Sequence, residues 1–279
     1  MLHFAYKSLL VLIIYWAAVA INCTAIAQKL FFNSWNTEAG LSRNSIFSIC
    51  QDQTGYIWIG TGKGLNRFDG KEFKVYFPQG KETSPGENDI NALSVDKDNR
   101  LWIGMGKGLA VYDISKNEFS QVHINNDTTK QFVVYCLVSD EHSNLWVGTS
   151  RGLFRIPGKG PRVLEKFRLN DAGNTTNEAV RCLFIDKEKQ LWAGTSSGIT
   201  KIRFVKGVAQ YKKYQYDPQN PKSLSSNIVT TITEDIYNNI WIGTRSKGIN
   251  LLNKASDDFI HLSTSSENQK LASDYIRVI

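Results

Sequence analysis

The chain has 279 residues, with 33 Lys and Arg against 26 Asp and Glu and a net charge of +7. That excess is modest and forms no basic run, which argues against a nucleic-acid-binding protein. The length is enough to enclose a sizeable hydrophobic core.

Residues 1–27 read as a targeting segment. Lys7 supplies a positive start, residues 8–21 form an apolar run, and Ala25-Ile26-Ala27 is a small-residue cleavage site before Gln28. The apolar run is short for a membrane span. The expectation is cleavage after Ala27, leaving residues 28–279 periplasmic or secreted. Asn22 stands where lipid attachment at Cys23 would need a small residue, so no lipid anchor is expected.

Residues 30–42, LFFNSWNTEAGLS, precede the first complete repeat. Residues 30–35 resemble an outer strand meant to complete a last blade, and a loop then leads to Ser45-Ile46-Phe47. From there one pattern is written five times: DQTGYIWIGTGKGL (52–65), DKDNRLWIGMGKGL (96–109), DEHSNLWVGTSRGL (140–153), DKEKQLWAGTSSGI (186–199) and DIYNNIWIGTRSKGI (235–249). Trp58, Trp102, Trp146, Trp192 and Trp241 are spaced by 44, 44, 46 and 49 residues, a period that belongs to repeat architectures.

Each unit divides into four short strands. An apolar run ends at Asp52, Asp96, Asp140, Asp186 or Asp235, and a turn follows in which the Asp side chain can accept from backbone amides. The tryptophan strand comes next and closes at Gly64, Gly108, Gly152, Gly198 or Gly248. A third, alternating strand and a fourth, aromatic one (EFKVYF, EFSQV, LEKFRL, YKKYQY, DFIHL) complete the unit. Four strands per unit, glycines at fixed offsets and no helical periodicity predict an all-β propeller. It would have five complete blades, at residues 43–79, 88–123, 132–169, 178–216 and 226–262. A partial sixth blade, from residues 30–35 and 273–279, makes the propeller truncated or open; a closed five-bladed ring is the alternative.

Functional groups are sparse. His3, His123, His142 and His261 occupy no repeated position and have no neighbour at metal-ligand spacing, so no metal, cofactor or catalytic residue is assigned. The repeated aspartates fit turn bonding better than a calcium array. The tryptophans fit wedges between blades better than sugar-stacking platforms. Cys50, Cys136 and Cys182 allow one disulfide and a free thiol. Four residues before each repeated Asp, however, stand Ser48, Ala92, Cys136, Cys182 and Thr231, all small, as crowding at a propeller hub requires. One feature exceeds structural need. Five residues past each tryptophan stand Lys63, Lys107, Arg151 and Ser197, with Arg245 and Lys247 flanking that position in the longer fifth unit. Equivalent turns share one face of a propeller, so these cations form a candidate rim for an acidic ligand such as a uronic or sulfated oligosaccharide.

The repeated Asp-x-x-Gly-x-[Ile/Leu]-Trp-Ile-Gly-Thr-x-x-Gly-Leu, with its lead-in Glu38-Ala39-Gly40-Leu41-Ser42, resembles the two-component regulator propeller repeats of hybrid histidine kinases. Met105 in place of Thr, Ala193 in place of Ile and Lys189 at the turn glycine are departures. The resemblance implies the N-terminal periplasmic, ligand-sensing piece of such a kinase, or a stand-alone relative. In that family two seven-bladed propellers precede a further β-domain, a membrane helix and kinase modules, and nothing in this chain resembles those later parts. The resemblance implies a glycan-derived ligand, and inner-membrane association within a full-length sensor. Its partners would be an oligosaccharide or other small ligand, the remaining propeller and kinase modules, and a second copy in a homodimer. The chain itself is expected to be no enzyme. A lyase-like propeller enzyme and a secreted interaction scaffold are the alternatives.

Overall fold

A computed structural model describes residues 32–80, 84–123, 131–160, 162–170, 178–266 and 270–279. These fall in two compact units that divide between Trp35 and Asn36. In the first unit residues 32–35 form no strand, and the rest of the expected outer strand, like the targeting segment, lies outside the described residues. Among the described residues no helix is long and apolar enough to cross a membrane.

The second unit is five antiparallel four-stranded sheets in chain order. Blade 1 is β1 (Ile46–Gln51), β2 (Ile57–Thr61), β3 (Gly64–Phe68) and β4 (Phe73–Tyr76). Blade 2 is β5 (Ile90–Val95), β6 (Arg100–Met105), β7 (Gly108–Asp113) and β8 (Glu118–Val122). Blade 3 is β9 (Val134–Ser139), β10 (Leu145–Thr149), β11 (Gly152–Ile156) and β12 (Glu165–Phe167). Blade 4 is β13 (Val180–Ile185), β14 (Leu191–Thr195), β15 (Ile199–Val205) and β16 (Val208–Tyr214). Blade 5 is β17 (Val229–Glu234), β18 (Ile240–Thr244), β19 (Ile249–Asn253) and β20 (Asp258–Leu262). First strands neighbour one another in sequence order, β1 to β5 to β9 to β13 to β17. This is the all-β propeller architecture that the repeat predicts.

The motif holds each blade by one repeated device. One carboxylate oxygen of Asp52, Asp96, Asp140, Asp186 and Asp235 accepts the indole N–H of the tryptophan six residues on, at 2.7–2.9 Å. The other oxygen accepts turn amides, such as those of Thr54 and Tyr56 in blade 1 and Tyr237 and Asn239 in blade 5. The aspartate thus bonds its own turn, as expected, and also fixes the ring that fills the space between blades. Trp58, Trp102, Trp146 and Trp192 are buried, whereas Trp241 of blade 5 is half-buried. Aromatic rings of the next blade pack against them: Tyr112 lies 5.4 Å from Trp58 and Phe204 5.8 Å from Trp146.

The glycine two residues past each tryptophan explains how close the blades approach. A Cβ on Gly60 would lie 2.7 Å from Ile90, on Gly104 2.5 Å from Val134 and on Gly194 2.8 Å from Val229. Each neighbour begins the next blade's first strand, so a glycine receives a β-branched side chain at every interface. The small residues predicted for the hub pair with these same glycines: Ser48 with Gly60, Ala92 with Gly104, Cys136 with Gly148, Cys182 with Gly194 and Thr231 with Gly243. Cys50, Cys136 and Cys182 are free thiols.

The series continues one step past blade 5. A Cβ on Gly243 would lie 2.6 Å from Ile276, the Ile276 amide donates to the Thr244 carbonyl, and Thr230 donates its hydroxyl to the Ile276 carbonyl. Ile276 therefore takes the place that Ile90, Val134, Val180 and Val229 take at the earlier interfaces. At the other end, Ile46 and Ile49 of β1 are 42% and 62% exposed, while their counterparts Ile90 and Leu93 are 0% and 8%.

Candidate functional site

The five turns, four of which bear a cation, join the second and third strands, so all lie at the same end of their blades. The threonine of Trp-x-Gly-Thr builds them. Its hydroxyl donates to the glycine carbonyl that follows the turn, at 3.1 Å in Thr61–Gly64, 2.8 Å in Thr149–Gly152, 3.0 Å in Thr195–Gly198 and 3.0 Å in Thr244–Gly248. The same hydroxyl accepts the amides of Lys63, Arg151, Ser197 and Lys247. Lys247 thereby proves to be the counterpart of Lys63 and Arg151, and Arg245 belongs to the extra length of the fifth turn. Blade 2 has Met105 at the threonine position, buried in the core, and its turn lacks this bond. Glycine with positive φ is required at the end of every turn: Gly64, Gly108, Gly152, Gly198 and Gly248 have φ from 70° to 118°. At Gly198 a Cβ would also meet the Tyr214 carbonyl at 2.2 Å.

The turns are also tied to the segments that lead into first strands. The Gly64 amide donates to the Asn88 carbonyl and that of Gly198 to Asn227 of the following blade, and that of Gly248 to Asp274 past blade 5, whereas Gly106 bonds Asp89 and Ser150 bonds Val133 within their own blades. The cations thus stand on a framework set by four-stranded sheets and cross-blade bonds, which is how a propeller presents loops at defined positions.

The rim differs around its course. Lys107 is bound to Glu87 at 2.9 Å, which raises its pKa above the usual lysine value through that hydrogen bond and charge and largely cancels its field. Asp89 sits against the Gly62 and Gly106 turns, and Arg43 against Gly62. Lys63, Arg151, Arg245 and Lys247 have no carboxylate at ion-pair distance among the described residues. Lys166 of β12, missed in the sequence because it lies in an outer strand, is held below the ordinary lysine value by burial and by the charge of Arg151. Near the same end, each first strand bulges at its second residue, Phe47, Asn91, Tyr135, Arg181 or Thr230. The Arg181 guanidinium lies 5.3 Å from the Tyr135 ring centre, adding a further cation there.

Among the described residues the histidines do not come together. His261 shares a 2.7 Å hydrogen bond with the Ser223 carbonyl, and His142 stands in the Asp140 turn at the opposite end from the cations. Among the described residues no group of three or more His, Cys, Asp and Glu is placed to hold a metal ion.

The family model described as two component regulator propeller matches residues 40–63, 84–107 and 223–246. These three segments are similar to two-component regulator propeller repeats. The matched segments start at the lead-in and end at the cation turn, and the structure explains the lead-in. Leu41 and Leu224 are buried, and the Ser42 and Ser225 amides donate to the buried side chains of Asn66 and Asn250. A 64-residue stretch is 41% identical to histidine kinase P4 of Formosa agariphila, covering 23% of this chain and 5% of that protein. The chain therefore matches a small part of that relative. Among solved structures, the chain is similar to PorZ of Porphyromonas gingivalis, a surface component of the type-IX secretion system, with TM-score 0.65. The identity is 18%, over 84% of this chain and 35% of that one. It is also similar to virginiamycin B lyase from Staphylococcus aureus, with TM-score 0.58 and 12% identity over 80% of this chain and 71% of that one. At these identities the likeness is one of fold.

Proposed function

We propose that this chain is a non-catalytic, ligand-sensing propeller on the periplasmic side of a two-component signalling system, and that its turn cations attract an acidic, glycan-derived ligand. The observation that carries the ligand class is the set of Lys63, Arg151, Arg245 and Lys247, presented at one end of their blades and free of carboxylate partners among the described residues. Cations gathered at one mouth raise the local concentration of anions and speed their capture, an effect that weakens with salt. Support for the signalling role comes from the repeats themselves and from the stretch shared with a histidine kinase. In this reading residues 1–27 act as the cleaved leader, the kinase modules supply the output, and a second copy supplies the geometry on which recognition acts.

The test is charge reversal of Lys63, Lys107 and Arg151 to Glu in the full chain, titrated with sulfated and uronic oligosaccharides. All three side chains stand on exposed or half-exposed turns, so the fold is expected to survive, which circular dichroism checks. The reading predicts that an acidic oligosaccharide bound by the unaltered chain loses at least tenfold in affinity. Unchanged binding by the reversed variant would reject the rim as the recognition surface.

A further inference from the structure

A cleft lies elsewhere, between blades 3 and 4, at the end that carries the Asp140 turn. Its volume is about 630 Å³, in the size range of small-molecule sites. The corresponding gap between blades 4 and 5 holds only about 180 Å³. The difference follows from strand lengths. Strand β12 has three residues, leaving the outer part of blade 3 low. Strands β15 and β16 have seven each, joined directly by Lys206 and Gly207 with φ of 51° and 81°. Positive φ at both central residues is the tight hairpin geometry that lets two strands run on together. The extended hairpin carries Phe204 over the gap, 5.8 Å from Trp146 and 6.0 Å from Phe167. Phe204 is 39% exposed, so its ring offers an apolar surface to whatever enters.

The polar lining is unequal in what remains to be bonded. Asp140 is saturated, one oxygen accepting the His142 and Asn144 amides and the other accepting Asn144 Nδ2 and Trp146 Nε1. Glu141 faces Lys189 at 3.6 Å, and Glu188 accepts from Gln190 and lies 3.8 Å from Lys254. Each carboxylate therefore already has a donor. The donors do not all have acceptors. Arg155 bonds Glu165 through Nη2, but its buried Nε has no partner among the described residues. The side chains of Arg203 and His142 also line the cleft, without a hydrogen-bond or ion-pair partner among the described residues. A cleft whose carboxylates are engaged and whose donors are left over is complementary to an acceptor.

We propose that this inter-blade cleft is a second binding site, for a small carboxylate with a flat apolar body: the carboxylate meets Arg155 and Arg203, and the body lies against Phe204. The site is separate from the cation turns and does not depend on the function proposed for them.

The probes are phenylacetate and 2-phenylethylamine, which share a body and differ in charge, titrated calorimetrically into the full chain. Phenylacetate is expected to bind and the amine to show no heat of binding. Arg203→Gln and Phe204→Ser each change an exposed side chain, so folding is retained, and each is expected to weaken phenylacetate about tenfold or more. The proposal is overturned if the amine binds as well as the acid, if phenylacetate does not bind, or if both variants bind it as the unaltered chain does. Lys63→Glu serves as the reference at the other end, and an equal loss there would assign the binding to the cation turns instead.

Discussion

Replacing Gly104 by alanine tests how blades are joined, because the structure gives the size of the effect. An ideal Cβ at that position lies 2.5 Å from Val134 Cγ1, 3.0 Å from Val134 Cβ and 3.2 Å from Ala92 Cβ. Carbon atoms in favourable contact are about 3.5–4.0 Å apart, so strands β6 and β9 must separate or Val134 must leave its rotamer. Overpacking of a well-filled core costs about 1–3 kcal/mol, and alanine recovers about 0.4–1 kcal/mol by restricting the unfolded chain. With two contacts this short, the net loss is expected to be about 2 kcal/mol. Val134→Ala alone removes two buried methyl groups and should cost about 2 kcal/mol. In the double variant the space made by one change accepts the other, so the losses should fall short of additivity by about 1 kcal/mol. Gly106→Ala, whose nearest neighbour would be Asp89 Cβ at 3.3 Å, should stay within about 0.5 kcal/mol. Urea titrations followed by tryptophan fluorescence give all four values. A neutral Gly104→Ala, or strict additivity with Val134→Ala, would refute the idea that glycine at this site exists to receive the next blade.

Two further outcomes follow from the buried and hydrogen-bonded groups. Burial pushes the Cys50 and Cys182 thiols up to about 12, with the charge of Asp52 adding to the effect at Cys50, and raises the Cys136 thiol well above its ordinary value. In the native protein at pH 8, Cys136 and Cys182 should resist a thiol reagent that labels them readily in urea, since the thiolate is the reactive form; rapid native labelling of either would contradict the hub packing. Burial works against the charged form of Asp235, yet hydrogen bonds from Trp241, Asn239 and two turn amides hold its pKa at about 2. The folded value lies below the unfolded one of roughly 3.9, so its contribution is present above about pH 4 and is lost as pH falls towards 2. Asp235→Asn should therefore lower stability at pH 6 and flatten the fall between pH 4 and pH 2; an unaltered acid profile would show that this carboxylate is not the anchor of its blade.

The fold was legible because one unit is repeated, and five copies in register separate constraint from chance. The aspartate turn, the tryptophan wedge and the small hub residues each satisfy a need that recurs at every interface, so alignment within the chain exposed them. What alignment could not show were relations across the sheet. The indole N–H of Trp58 bonding Asp52, the Thr61 hydroxyl closing the turn and Ile90 entering the space at Gly60 are contacts between residues whose spacing alone is silent. The candidate rim was legible only in part. The turn position of Lys63 and Arg151 was written in the repeat, whereas neutralisation of Lys107 by Glu87 and the approach of Lys166 to Arg151 depend on packing. The cleft of blades 3 and 4 arises where the units differ, in a short β12 and a long β15–β16 hairpin. Its one sequence sign was Lys206-Gly207 between runs of apolar residues. The outer strand expected at residues 30–35 lies partly outside the described residues, and residues 32–35 form no strand.

The proposed recognition of an acidic glycan-derived ligand by the cation turns is tested by titrating the full chain with matched acidic and neutral oligosaccharides at low and high salt. An acidic member is expected to bind, its neutral counterpart not, and binding is expected to weaken several-fold between about 50 mM and 200 mM salt, as for attraction between exposed charges (about a 10 Å screening length at 0.1 M). Equal binding of the neutral oligosaccharide, or an affinity indifferent to salt, would contradict it.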